Sequence, residues 1–487
     1  MWRGYSDAVG RTLLGVVLLA VLSVAPVSSA APRPLQTAIS EAGVAAGTDS
    51  DLALARTRAA GTNSVYVMLY WNTVAPATRP AVFDSANHLE PAYAWASYDE
   101  RLRRIAAHGL KPIVVILHAP PWAEGAGDGP AGTNRPSPVE FGRFARAAAT
   151  RYNGLQPGLP RVRYWQLWSE PNLFSNLNPQ WVGGQAYAVT HYRRLLEEAT
   201  PAIRAVHSNN VVIAGGLAPF SSRLSVAPLR FMRQLFCLNG SLRPTCRSRA
   251  PFDIWSHHPY TSGGPTHSAF LKDDASLGDM PAVRRTLNAA VRYRRIASPS
   301  PGRLWVTEFS WDTKPPDPMG VPIHVHTYWV AEALYRMWQN GVSLVVWHQL
   351  RDNPTEGESL LQSGLYFRGS SLANDRPKPS LRAFRFPLVA LPRPNGLYVW
   401  ARTPAGQPGR VIVERRGSGA WRRLGTVRTN SVGILSHTFR GAPKSGVVRA
   451  RTLGDQSAAF PLKRIKDFYV QPFGCWSFPC STPGPPG

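Results

Sequence analysis

The stretch Pro112-Ile113-Val114-Val115-Ile116-Leu117-His118 decides the fold. Ile113 to Leu117 are all aliphatic, so an extended chain there offers neither face to water. Such a strand has to be covered on both sides, as in a parallel sheet enclosed by helices. The segments around it agree. Tyr98–Ala107 upstream and Val139–Tyr152 downstream carry the apolar spacing of helices. The second opens on Ser137-Pro138-Val139-Glu140, with a capping serine, proline at the first helical position and glutamate three residues after the cap.

Working outward, the same alternation repeats. Candidate strands are Leu35–Ser40, Ser64–Leu69, Pro112–Leu117, Val162–Leu167, Val211–Ala214, Phe252–Ser256, Leu304–Thr307 and Ser343–Trp347. Further helical patterns cover Ala186–Val206, Leu229–Phe236, Ala282–Ile296 and Val325–Gln339. Eight strands, each followed by a connection long enough for a helix, predict an α/β chain folded as a (β/α)8 TIM barrel over residues 31–387. A doubly wound open sheet is disfavoured, because no glycine-rich phosphate turn follows the first strand. From residue 388 the texture changes. Gly396–Arg402, Arg410–Arg415, Trp421–Val427, Val432–Phe439 and Gly446–Arg451 are short runs broken by Gly, Pro and Asn. They predict a small C-terminal β-sandwich over 388–460, followed by a Pro/Gly-rich tail over 461–487.

Composition bounds the function. With 44% hydrophobic and 17% charged residues among 487, the chain can bury a large core and is not of the disordered class. Arg3 and Arg11 precede an apolar run from Leu13 to Val27, and Ser28-Ser29-Ala30 supplies small residues for cleavage. Residues 1–30 thus read as a secretory signal peptide, with an uncleaved N-terminal anchor as the alternative. No later segment reads as membrane-spanning, so the mature protein is expected to be secreted. In an oxidising compartment the close pairs Cys237/Cys246 and Cys475/Cys480 read as two local disulfides. Their spacing does not suit zinc, and no metal or organic cofactor is expected. Asn239-Gly240-Ser241 is a formal glycosylation acceptor.

The net charge is +26, carried mostly by arginine. Nucleic acid, an anionic cell surface or an acidic polysaccharide would each suit such a balance. The charges are scattered in ones and twos and no nucleic-acid motif is present, so no nucleic-acid partner is expected. Sixteen tryptophans are many for this length, and flat aromatic faces are what sugar clefts use.

Reacting groups in such barrels sit just past the C-terminal ends of the strands. Those positions hold His118 after strand three, Glu170 after strand four, His258 and Tyr260 after strand six, Glu308 after strand seven, and Trp347 closing strand eight. Of the neighbours His257 and His258, alternation lets one face the lumen, and His258 is the one in step with Tyr260. Trp71 and Trp122, at the ends of strands two and three, and Trp311, three past Glu308, are candidate cleft residues. Two glutamates at strand lips are what glycoside hydrolysis needs: one protonates the leaving oxygen, the other attacks the anomeric carbon or activates water.

The local sequences sharpen this. Trp165-Gln166-Leu167-Trp168-Ser169-Glu170-Pro171-Asn172 and Leu304-Trp305-Val306-Thr307-Glu308-Phe309-Ser310-Trp311 resemble the strand-four and strand-seven motifs of clan A retaining glycoside hydrolases. The layout, with a C-terminal β-sandwich, is most like family 39 and relatives of family 5. The resemblance implies Glu170 as acid/base and Glu308 as nucleophile. It implies Trp347, in Val345-Val346-Trp347-His348-Gln349, as the floor of the sugar subsite, and Tyr260, in His257-His258-Pro259-Tyr260, as hydrogen-bonded to the nucleophile. One position departs from the pattern: where the family has Asn before the acid/base, contacting the sugar 2-hydroxyl, this chain has Ser169. The implied activity is a secreted, retaining glycosidase acting on O-glycosidic bonds of a poly- or oligosaccharide, with Glu170 held protonated by an apolar surround and nearby charge. The alternative is a non-catalytic carbohydrate-binding protein on a degenerate glycosidase barrel, which Ser169 and the basic charge would suit.

Overall fold

The computed structural model describes residues 32–41, 47, 49–355 and 361–470. The proposed signal peptide and the Cys475/Cys480 pair lie outside the described residues.

Eight parallel strands close into a barrel: β1 (Gln36–Ser40), β2 (Ser64–Tyr70), β3 (Lys111–Leu117), β4 (Tyr164–Leu167), β5 (Val211–Leu217), β6 (Ile254–His257), β7 (Arg303–Phe309) and β8 (Val342–Trp347). Each pairs with its sequence neighbours, and β8 closes on β1 with Gln36 opposite Leu344 and Ile39 opposite Trp347. From Pro112 to Leu117, β3 is buried at every position, as its aliphatic run demands.

Helices fill the crossovers: α1 (Ser50–Ala59), α2 (Ala96–Ala107), α3 (Pro138–Arg151), α4 (Tyr187–Val206), α5 (Pro228–Leu235), α6 (Met280–Arg292) and α7 (Ile323–Gln339), and α8 (Pro379–Arg385) follows the last strand. At the start of α3, the Ser137 side chain accepts from the Glu140 backbone N–H, closing the expected cap. The sequence pattern does not announce α1, whose buried face is made of Ser50, Ala53, Leu54 and Thr57. Small and hydroxylic residues leave no legible apolar stripe. The β5 strand runs on to Leu217 through Gly215 and Gly216, both at positive φ. A Cβ on Gly215 would sit 2.4 Å from the Ser256 carbonyl oxygen, so that strand can bend there only with glycine.

Beyond the barrel lie two antiparallel sheets. One joins β9 (Leu388–Arg393), β10 (Gly396–Arg402) and β13 (Ile434–Arg440). The other is ordered β12 (Arg422–Arg428), β11 (Arg410–Arg416), β14 (Val447–Arg451), β15 (Phe460–Pro461). They dock on the barrel through Trp400, whose ring lies 5.3 Å from Tyr335 and 5.6 Å from Trp338 on α7. The fully buried Arg402 reaches the Thr37 hydroxyl at 3.2 Å and the Gly61 carbonyl at 3.3 Å. After β15 the chain returns to the barrel lip. Asp467 accepts hydrogen bonds from the Gly264 backbone N–H (2.6 Å) and from His267 Nδ1 (3.1 Å). Phe468 stacks on Trp329, and the Val470 N–H donates to the Ser262 carbonyl. Cys237 and Cys246 form a disulfide across a surface turn. No described helix is long and apolar enough to cross a membrane.

Candidate active site

The ends of β4, β6 and β7 bring three titratable side chains together. His258 Nδ1 lies 3.0 Å from Glu170 Oε1 and 3.7 Å from Glu308 Oε2. The three donor atoms all lie within 4.8 Å of one another. His258 Nε2 meets the Thr307 hydroxyl at 3.1 Å, and the Tyr260 hydroxyl donates to Glu308 Oε2 at 3.4 Å.

The two carboxylates are held differently. Glu308 lies within β7, between Val306 and Phe309, which pair with Val345 and Trp347 of β8 on either side of a register shift. Glu170 lies three residues past β4 in a turn where Trp168 (φ 67°) and Glu170 (φ 47°) both adopt the left-handed conformation. Non-glycine residues avoid that region, and it persists where surrounding bonds overdetermine it. The Trp168 N–H donates to Ile116 O of β3, and the Glu170 N–H to Gly216 O of β5. The Trp168 indole N–H donates to Asn176 O, and the Asn176 amide donates to Ser169 O. Gly216 sits close beneath: a Cβ there would approach His258 Nε2 to 3.2 Å.

Electrostatics follow from burial. The Glu308 side chain is only 10% exposed, against 20% for Glu170. Burial first, and then the charge of Glu170, push the Glu308 carboxyl up to about 7, with His258 and the Tyr260 hydroxyl pulling the other way. Burial opposes charge on His258, but Glu308 and the hydrogen bond to Glu170 outweigh it, and the imidazole is raised above its ordinary value. The neighbouring His348, buried and facing that charge, is lowered to about 4.

The other sequence candidates are spread around this group. His257 points away from the pair: its Nε2–H donates to Ala275 O, and burial lowers it to about 4. Ser169 is buried beside the Tyr66 hydroxyl. His118, at φ 58°, packs its ring 5.4 Å from Tyr70 and 6.3 Å from Trp168. Trp311 borders a small pocket with Tyr260, Asp312 and Val470, its N–H donating to Gly263 O.

Of the three remaining tryptophans, two are fully buried and Trp122 is half-buried. Trp71 is fully buried and stacks on Phe144. The reason is that the chain turns into a short helix, Trp71–Val74, straight after β2 and swings the ring under α3. Trp122 joins the same aromatic group, edge-on to Trp71 and Phe83, with Arg79 over its face. Trp347 lies under the lip, fully buried against Phe309 and His326, its N–H bonded to Ser363 O.

Tyr66 of β2 was missed by sequence reasoning. Its hydroxyl lies beside Ser169, Gln166 and Glu308, without full hydrogen-bond geometry to any. Burial and then the Glu308 charge raise it well above the usual phenol range. A hydroxyl inside an otherwise apolar strand was the available signal. Glu170, His258 and Glu308 are also the only donor group among the described residues whose spacing would suit a cation. The 3.0 Å contact between two of those atoms is the distance of a proton-bridged pair.

No protein-family model matches the chain, and no curated protein matches it. Solved structures do match. One is a monomeric beta-xylosidase from Caulobacter crescentus CB15, 15% identical, with 84% of this chain and 95% of that chain covered and a TM-score of 0.50. Another is the GH39 enzyme from Xanthomonas axonopodis pv. citri, also 15% identical, covering 83% and 91% at a TM-score of 0.50. At this identity the likeness is one of fold.

Proposed function

We propose that the chain is a secreted retaining glycoside hydrolase, cleaving O-glycosidic bonds of a poly- or oligosaccharide by double displacement. The observation that carries this reading is the spacing of the carboxylates. An oxygen of Glu170 and an oxygen of Glu308 lie within 4.8 Å. Retaining enzymes place their carboxyl groups roughly 5–5.5 Å apart, whereas inverting ones leave roughly 6.5–9.5 Å for a water.

In the first step Glu308 Oε attacks the anomeric carbon and the glycosidic C–O bond breaks. The leaving oxygen takes the proton shared across the Glu170–His258 hydrogen bond. In the second, Glu170 removes a proton from water, whose oxygen attacks the same carbon, and Glu308 leaves as carboxylate. Tyr260 orients Glu308, and Thr307 holds His258 with Nδ1 toward both glutamates. The proton bookkeeping is complete with these side chains, so EDTA should leave the rate unchanged.

A non-catalytic sugar-binding barrel is the second reading, favoured by Ser169. It has no use for a carboxyl pushed up to about 7 beside a second one, an arrangement that costs stability.

The deciding experiment incubates the protein with an activated 2-deoxy-2-fluoro glycoside and maps the labelled peptide by mass spectrometry. A covalent glycosyl ester on Glu308, with retained anomeric configuration in products of ordinary substrates, is expected. Inverted product, or a label elsewhere, overturns the assignment.

A further inference from the structure

We propose that the outward face of the β12-β11-β14 sheet binds an anionic polysaccharide through its carboxylates. Residues 388–460 hold eleven arginines and one lysine against two acids, Glu414 and Asp455. Along the chain these charges are dispersed; the strand register gathers them. Arg410 lies opposite Arg428, Ile412 opposite Arg451, and Glu414 opposite both Arg423 and Arg449. Partners across a ladder point to the same face, and Arg416, two on from Glu414, shares it. Val411, Val413, Val448 and Ala450 occupy the other face and are buried. Six guanidinium groups thus stand on one surface with Glu414 as its single carboxylate. Glu414 pairs with Arg449 at 2.7 Å and with Arg451 at 3.5 Å.

Two features mark this face as built for an anion. Like charges directly opposite destabilise a strand pair, so the Arg410–Arg428 register carries a cost that a bound anion removes. Trp421 contacts two of the arginines through its ring, with Arg416 4.9 Å and Arg449 4.1 Å from the ring centroid. The ring contact restrains both guanidinium groups, which lowers the entropy lost when they take up a carboxylate. Strands about 4.8 Å apart put the charges within a Debye length of each other, so their fields add. Choosing polysaccharide among polyanions rests on the glycosidase reading; the cationic face itself does not.

The test is affinity electrophoresis of the full chain through gels containing polygalacturonate or neutral dextran, with anisotropy titrations of duplex DNA and of anionic vesicles alongside. Polygalacturonate should retard the protein and dextran should not, with affinity falling about tenfold as ionic strength rises from about 0.05 to about 0.3 M. The triple variant R410Q/R428Q/R451Q should bind at least about tenfold more weakly, with an unchanged or higher thermal midpoint. It should hydrolyse a small aryl glycoside at the parent rate. Equal binding by variant and parent, equal retardation by dextran, or tighter binding to DNA or vesicles overturns the proposal. If no aryl glycoside is hydrolysed, the catalytic reading fails, while the gel still decides the face.

Discussion

The ends of β4 and β7 present the same functional group, a glutamate carboxyl, on opposite kinds of support. At β7 the strand continues past Glu308 to Phe309, which still pairs with Trp347 of β8, the side chain is buried, and its acidity shifts to about 7. At β4 the ladder stops at Leu167, and Glu170 stands in a turn of left-handed residues with twice the side-chain exposure. A nucleophile has to hit one carbon along one line, which favours a rigid, desolvated strand. An acid/base has to meet the leaving group and then water, and a turn at the lip gives it that reach. The proposed roles, nucleophile for Glu308 and acid/base for Glu170, follow the same contrast.

Exchanging each carboxyl for an amide is the strongest way to break that contrast. Glu308→Gln should lose about 10⁴-fold or more in kcat on every substrate, including activated aryl glycosides. Glu170→Gln should lose about 10²–10⁴-fold only on substrates whose leaving group needs a proton. With dinitrophenyl glycosides it should accumulate glycosyl-enzyme and speed up with azide. Equal losses on both substrate types would remove the distinction. A smaller effect concerns the histidine between them. Glu308 must be ionised to attack, so kcat/KM should fall as pH drops through about 7. His258→Asn withdraws the charge that holds Glu308 down, so this acid limb should move to higher pH; an unmoved limb would detach His258 from the nucleophile. Smallest is the effect on stability. A carboxyl raised from 4.5 to about 7 binds more protons folded than unfolded across that interval, so stability declines as pH rises through it. Glu308→Gln should therefore raise the thermal midpoint at pH 8 and change it little at pH 4. A midpoint that falls at pH 8 would place the carboxyl in a favourable ion pair instead.

Much of this architecture was legible in the chain because a barrel turns position into geometry. Once eight strands are counted, Glu170, His258, Tyr260 and Glu308 converge for no reason beyond standing at strand ends. What escaped depended on departures from that regularity. Trp71 stood at a strand end, but four helical residues turned it into the core. Tyr66 sits in the Ser64-to-Val67 part of β2, which is buried at every position and gives no alternation to tell lumen from outside. Val162 looked like the start of β4, yet the ladder opens at Tyr164, because Asn153 and Arg161 first form an isolated bridge. The arginine face was invisible for another reason: scattered charges become a cluster only through an antiparallel register that no local pattern specifies.

The return of residues 461–470 to the barrel lip carries a consequence for the order in which the molecule is made. Chains emerge from the ribosome N-terminus first, so all eight barrel strands are available well before Asp467 and Val470. Until those arrive, the Gly264 N–H and His267 lack the Asp467 carboxylate, and the Trp329 ring lacks Phe468. The wall of the pocket beside Tyr260 and Trp311 is still missing Val470. The barrel is thus finished by a segment made well after its last strand. A barrel cut at residue 387 would carry both glutamates and still have an open flank.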